Sequence, residues 1–159
     1  GMRDVTGITA RFVVVDVLDS GWSQLLAGEC FSTIFCLAML HHLPGHGNRR
    51  ALLERLKSLL APGGYLILST WQFATNARMR RKIVSWDKVG LEPAGLEPGD
   101  FLLDWRRDGV GFRYCHLVDD QELRQLAQES GLEVLETFRA DGKEGDLSLF
   151  GILQARSSP

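Results

Sequence analysis

The sequence predicts an α/β fold whose mostly parallel sheet ends in an antiparallel hairpin. Three observations predict it. Continuous apolar runs occur at 11–18 (RFVVVDVL), 31–40 (FSTIFCLAML) and 65–71 (YLILSTW), and unbroken runs of that length suit strands buried on both faces of a parallel sheet. Between the second and third runs, residues 49–60 (RRALLERLKSLL) place Leu52, Leu53, Leu56, Leu59 and Leu60 at helical spacing. Strand, helix and strand in that order give a layered α/β unit, with helices placed on the sheet faces by right-handed crossovers. Lastly, 132–138 and 146–155 read as two strands joined only by the polar turn DGKEG. Without a helix between them they pair antiparallel.

Each element follows from local chemistry. Asp19-Ser20-Gly21 turns the chain after the first run, and Trp22 to Ala27 fit one or two helical turns. The stretch LPGHGN is rich in breakers, with Asn48 as the expected N-cap of the leucine-spaced helix. Ala61-Pro62-Gly63-Gly64 ends that helix. Residues 76–88 carry Arg78, Arg80, Arg81, Lys82 and Lys88 against one acid, Asp87. That basic run reads either as a solvated helix face or as a surface for RNA phosphates. Residues 89–113 are rich in Gly and Pro with Trp105 and Phe112 embedded, so about 74–116 reads as an ordered insertion or lid. A helix over 119–130 opens on acids that suit its dipole, and Gly131 takes the C′ position.

Composition narrows the function classes. The 159 residues are 45% hydrophobic and 24% charged, which suits one globular domain spanning 1–159 and excludes disorder. A net charge of −2 gives no global basic field for nucleic acid. Cys30, Cys36 and Cys115 are too few and too scattered for a disulfide framework or a zinc knuckle. No apolar run approaches the roughly 20 residues of a membrane span, and a cytoplasmic protein beginning at Met2 is expected.

Three local matches carry a family resemblance. Arg11-Phe-Val-Val-Val-Asp16-Val17 looks like a third strand followed by an adenine-side acid. Phe31 to Leu43 looks like the pattern FDxVxxxxxLHHL, with Ser32 where Asp is usual. Leu59-Leu-Ala-Pro-Gly-Gly-Tyr-Leu-Ile-Leu68 looks like LLKPGGxLil. In this order they resemble the C-terminal two-thirds of a class I S-adenosylmethionine-dependent methyltransferase, a Rossmann-like fold. The resemblance implies an incomplete sheet, because the first two βα units and their Gly-rich cofactor loop have no counterpart in this sequence. Gly63-Gly64 cannot replace that loop, since it leads from helix to strand. More distantly, Gly99-Asp-Phe-Leu-Leu-Asp-Trp105 with Arg113-Tyr-Cys-His116 is similar to methyltransferases that esterify carboxymethyl-uridine at the tRNA wobble position.

The residues themselves allow two readings of each candidate. Methyl transfer from a sulfonium needs alignment more than acid–base chemistry, and an ionised carboxylate acceptor needs no general base. Arg113, Tyr114 and His116 form a short cationic and hydrogen-bonding cluster, while Trp71 and Trp105 offer faces for a base, with Asp104 beside them. The competing reading pairs Arg113 with Asp104 and packs the aromatics in a small core. By resemblance, Asp16, Val17, Leu37, Ala38 and Met39 line the cofactor crevice; alternatively Asp16 caps its own turn and the others are core. His41, His42 and His46 invite a metal, but Pro44, Gly45 and Gly47 break the helix such spacing needs, so no metal is expected. By resemblance His41 lies at the active-site edge, in a catalytic position, and His42 packs structurally.

Two functions compete. The first is a methyltransferase using S-adenosylmethionine, with cofactor binding weakened or lost without the Gly-rich loop. The second is a non-catalytic, methyltransferase-derived scaffold that forms a homodimer, or takes a partner chain, across an exposed sheet edge. A metal hydrolase built on the histidines is the least supported. Transfer RNA is a possible partner of the basic run.

Overall fold

The computed structural model describes residues 11–92, 94–105, 109 and 111–156. In chain order the elements are β1 (Phe31–Leu37), α1 (His46–Ser58), β2 (Leu60–Trp71), α2 (Ala77–Arg80), β3 (Ile83–Val84), β4 (Asp100–Asp104), β5 (Phe112–His116), α3 (Asp120–Glu129), β6 (Leu132–Ala140) and β7 (Ser148–Ala155). They build two sheets, a larger one ordered β1-β2-β7-β6 and a smaller one ordered β3-β4-β5. β1 and β2 are parallel around α1, and β7 pairs antiparallel with both β2 and β6.

Leucines make the main core. Leu52, Leu53 and Leu56 of α1 meet Leu123 and Leu126 of α3 over Leu66, Leu68 and Leu153 of the larger sheet. Both helices therefore lie on one face of that sheet. On β1 the side chains of Phe35 and Leu37 are exposed. The smaller sheet packs its own cluster of Phe73, Met79, Leu103 and Cys115.

Several expectations are corrected. Residues 11–16 form no strand, and Val14 is 99% exposed. A continuous apolar run specifies burial only where a neighbouring strand accepts its backbone, and none of the described strands does so. Only Val17 of the run packs on the core. The 31–40 run stops as a strand at Leu37, and its strand is mostly exposed because it is the sheet edge. Asn48 is not the cap of α1: the helix starts at His46 after Gly45, and the Asn48 amide donates to the Pro44 carbonyl. The basic run is not one helix; after four residues of α2 it breaks into β3 and a 3-10 turn at Trp86–Val89. By contrast, Asp119 caps α3 through the Glu122 N–H, and Gly131 follows it at φ +70 as expected.

Candidate functional site

The carboxyl ends of β1 and β2 meet at one crevice, the place where open α/β sheets bind ligands. Ser69 of β2 holds the chain there: the Ala38 N–H donates to its carbonyl and to its hydroxyl at 3.1 and 3.0 Å. Ala38 thereby takes φ +51, and Leu37 and Met39 project from it half-exposed. The next turn, Leu40–His42, buries His41 fully and His42 partly. The resemblance implies His41 at the active-site edge and His42 packed; here His41 is the more buried of the two.

β2 ends on Trp71, which gathers the aromatic and cationic groups. Its ring lies 4.9 Å from His41 and 5.7 Å from Trp105, nearly parallel to the latter. The Arg113 guanidinium sits 4.1 Å over Trp105 and 6.0 Å from Trp71, and Lys82 lies 4.5 Å over Trp105. Cations over indole faces are attracted by the ring quadrupole. In the sequence Lys82 is one member of a basic run; its approach to Trp105 comes from the pairing of Ile83 with Leu103. Asp104 closes β4, its N–H bonded to the Lys82 carbonyl at 2.7 Å.

The smaller sheet separates the cluster read from the sequence. Successive strand residues face opposite ways, so Arg113 and Cys115 share the Trp71 side while Tyr114 and His116 face the other. There Asp100 accepts from the Tyr114 hydroxyl and from His116 Nδ1, both at 2.6 Å. The other imidazole nitrogen bonds Glu122 at 2.8 Å. Arg49, 1% exposed, joins Glu97 at 2.6 Å and Glu122 at 3.1 Å. Asp100 belongs to the Gly99–Trp105 stretch that carries the more distant resemblance, whereas no motif announces Arg49 or Glu97. Together with Glu122 these residues tie β4, β5, α1 and α3, beside a cavity of about 650 Å³.

Burial disfavours charge on His116, but the hydrogen bonds to Glu122 and Asp100 outweigh it and raise its pKa above 6.5. A raised histidine pKa stabilises the fold fully below the unfolded value and loses that contribution as pH rises through the folded one. Thermal melts from about pH 6 to about pH 9 will therefore show Tm falling on the alkaline side. His116→Gln will flatten that limb, and an unchanged slope would contradict the assignment.

His41 does not suit a metal. Its Nδ1 accepts the Trp71 N–H at 3.3 Å, which fixes the proton of the neutral ring on Nε2. A protonated Nε2 has no lone pair for a cation. A ring nitrogen of each of His41 and His42 and the Cys115 sulfur lie within 4.8 Å of one another, but this tautomer removes the first ligand. His46, the third histidine of the run, pairs with Glu129 at 2.6 Å instead. The other candidates are placed plainly. Asp16 accepts the Leu18 N–H at 2.9 Å in its own turn, and the Val17 carbonyl accepts from Arg55 of α1.

Comparison with known proteins bears on this crevice. A family described as "Methyltransferase domain" matches residues 7–137. The chain belongs to that methyltransferase family. The methyltransferase fold also recurs in solved structures. One is an S-adenosylmethionine-dependent methyltransferase from Clostridium acetobutylicum: 9% identity, TM-score 0.64, covering 95% of this chain and 67% of that one. Another is from Methanosarcina mazei, at 21% identity and TM-score 0.64, covering 96% and 70%. A glycopeptide N-methyltransferase, MtfA, complexed with S-adenosyl-L-homocysteine, matches at 17% identity and TM-score 0.60, covering 91% and 60%. A comparison with curated protein sequences found no match.

The glycopeptide N-methyltransferase MtfA is solved with S-adenosyl-L-methionine and with S-adenosyl-L-homocysteine, which makes S-adenosylmethionine the cofactor to test against this crevice. The crest Leu37–Ala38–Met39 fits that cofactor, offering half-exposed apolar side chains at the carboxyl end of a parallel pair. Asp16 is committed to its turn. Among the described residues no helix is long and apolar enough to cross a membrane.

Proposed function

We propose that the chain carries the acceptor side of a methyltransferase whose acceptor is a planar group bearing a carboxylate, such as a carboxymethylated tRNA base. The observation that supports this most is Arg113 over the stacked pair Trp71 and Trp105, at the end of β2 and beside His41. Indole faces hold a flat ring, and a guanidinium orients a carboxylate. S-adenosylmethionine supplies an electrophilic methyl group when bound along Leu37–Met39. The protein's task is alignment, since a carboxylate acceptor is already ionised and requires no base.

Binding of the cofactor to this chain alone is weak, because among the described residues Leu37–Met39 form a single wall, beside an edge of β1 that none of the described strands pairs. Calorimetry with S-adenosylmethionine is expected to give a Kd on the order of 1 mM or weaker, and micromolar binding would overturn this expectation. Incubation with millimolar methyl-labelled S-adenosylmethionine and tRNA is expected to leave base-labile methyl ester, reduced about tenfold or more by Arg113→Gln. Base-stable label, or no label at all, would refute the carboxylate reading.

The edge of β1 favours a second reading, a subunit that pairs with another copy of itself. Phe35 and Leu37 are 64% and 52% exposed on a strand that only β2 pairs among the described strands. Light scattering at micromolar concentration is expected to show a dimer, and a strict monomer would remove this reading.

A further inference from the structure

We infer that His41 is an acceptor-binding residue whose Nε2–H donates to an anionic oxygen of the substrate, so that the site selects oxyanion acceptors over amines. This rests on the acceptor site proposed above and adds a second anchor to Arg113.

The argument starts from one unmatched atom. His41 Nε2 is buried and has no hydrogen-bond partner, alone in this among the described residues. A buried polar group left unpaired is costly, and such exceptions concentrate where a ligand completes the bonding. The tautomer gives the atom its role. The backbone N–H of Trp71 points into Nδ1, so Nε2 carries the hydrogen and calls for an acceptor. A protonated amine brings only hydrogens to that position; a carboxylate brings lone pairs.

The surroundings agree. Burial first, then His42 and Arg113, lower the His41 pKa to about 3, so the ring stays neutral at ordinary pH. A neutral ring of fixed tautomer is a donor at Nε2 and cannot act there as a base. His42 is likewise lowered by burial and by Arg113, and its Nδ1 donates to the Tyr114 carbonyl at 3.1 Å. Burial also lifts the Cys115 thiol to about 12, keeping it protonated. Two groups act on His41 by charge, His42 and Arg113, and with the His42 pKa itself lowered the Arg113 cation is the standing charge of the pair. Neutral donor and cation lie on the same indole, His41 at 4.9 Å and Arg113 at 6.0 Å from the Trp71 ring. That pairing of charge and donor suits one carboxylate.

Long-range nitrogen–proton NMR on histidine-labelled protein tests the tautomer directly. An Nε2–H form for His41 is expected, and an Nδ1–H form would overturn the inference. Benzoate and benzylamine then serve as matched probes. Benzoate is expected to bind and to shift the His41 Nε2–H resonance downfield, with benzylamine at least tenfold weaker. His41→Phe is expected to weaken benzoate about tenfold or more, the loss of a hydrogen bond to a charged group. His41→Gln, which keeps a donor near Nε2, is expected to restore affinity to within about threefold of the parent. Benzylamine binding as tightly as benzoate would refute the selectivity. If Arg113→Gln abolishes benzoate binding and His41→Phe leaves it intact, this inference fails while the acceptor site stands. If neither variant matters, both fail.

Discussion

Replacing Arg49 with methionine is expected to lower the unfolding free energy by about 3 kcal/mol at neutral pH. Arg49 is a charged side chain 1% exposed, and its partners are Glu97, Glu122 and the Leu43 carbonyl. Methionine keeps most of the stem packing but removes the charge. Among the described residues, Glu97 and Glu122 are then left near Asp100 with His116 to balance them. Removing one partner of a buried pair typically costs about 3–5 kcal/mol; the low end applies because the side chains of Glu97 and Glu122 remain 34% and 19% exposed. Urea denaturation checks it. Adding Glu122→Gln to Arg49→Met is expected to recover part of the loss, whereas a cost below about 1 kcal/mol for the single variant would show the network to be dispensable.

The second large effect is expected at Gly64. A Cβ there would stand 2.9 Å from the carbonyl oxygens of Ala61 and Phe31 and 3.1 Å from that of Ser32. These are backbone atoms, so relief requires moving β1 against β2. The local geometry explains the crowding: Phe31 pairs with Leu60 and Thr33 with Tyr65, so Ala61 to Gly64 bulge out of the ladder. Gly64→Ala is expected to cost about 3 kcal/mol, the upper part of the overpacking range. Gly63→Ala is the control. It has φ +74 but open space around it, and is expected to cost about 1–2 kcal/mol, the left-handed penalty alone. Equal Tm losses in the two variants would contradict the steric account.

Much of the fold was legible. The leucine spacing of 49–60, the helix over 119–130 with Gly131 behind it, and the final hairpin all express local rules of periodicity, capping and turn length. The run RFVVVDVL misled because apolarity alone does not supply a strand with a neighbour; Val14 has none and lies in solvent. The basic run misled because Ile83 and Val84 find better partners in Leu103 and Leu102 than helix continuation would give them.

The candidate site was legible in part. Arg113, Trp71 and Trp105 stand out by residue type and His41 by the family resemblance, and the structure gathers them around Trp71. Tyr114 and His116 were grouped with Arg113 by adjacency, yet a strand sends neighbours to opposite faces. Their partners, Asp100, Glu97, Glu122 and Arg49, come from three other segments, and no spacing rule connects them.

By itself the sequence determined an α/β chain with a methyltransferase signature, because strand, helix and turn preferences act over a few residues. The tertiary structure alone decided which ring nitrogen of His41 carries its proton and which carboxylates hold His116. Both depend on groups brought together from distant parts of the chain, such as the Trp71 N–H 30 residues from His41. A hydrogen bond is set by distance and direction, which residue order does not encode.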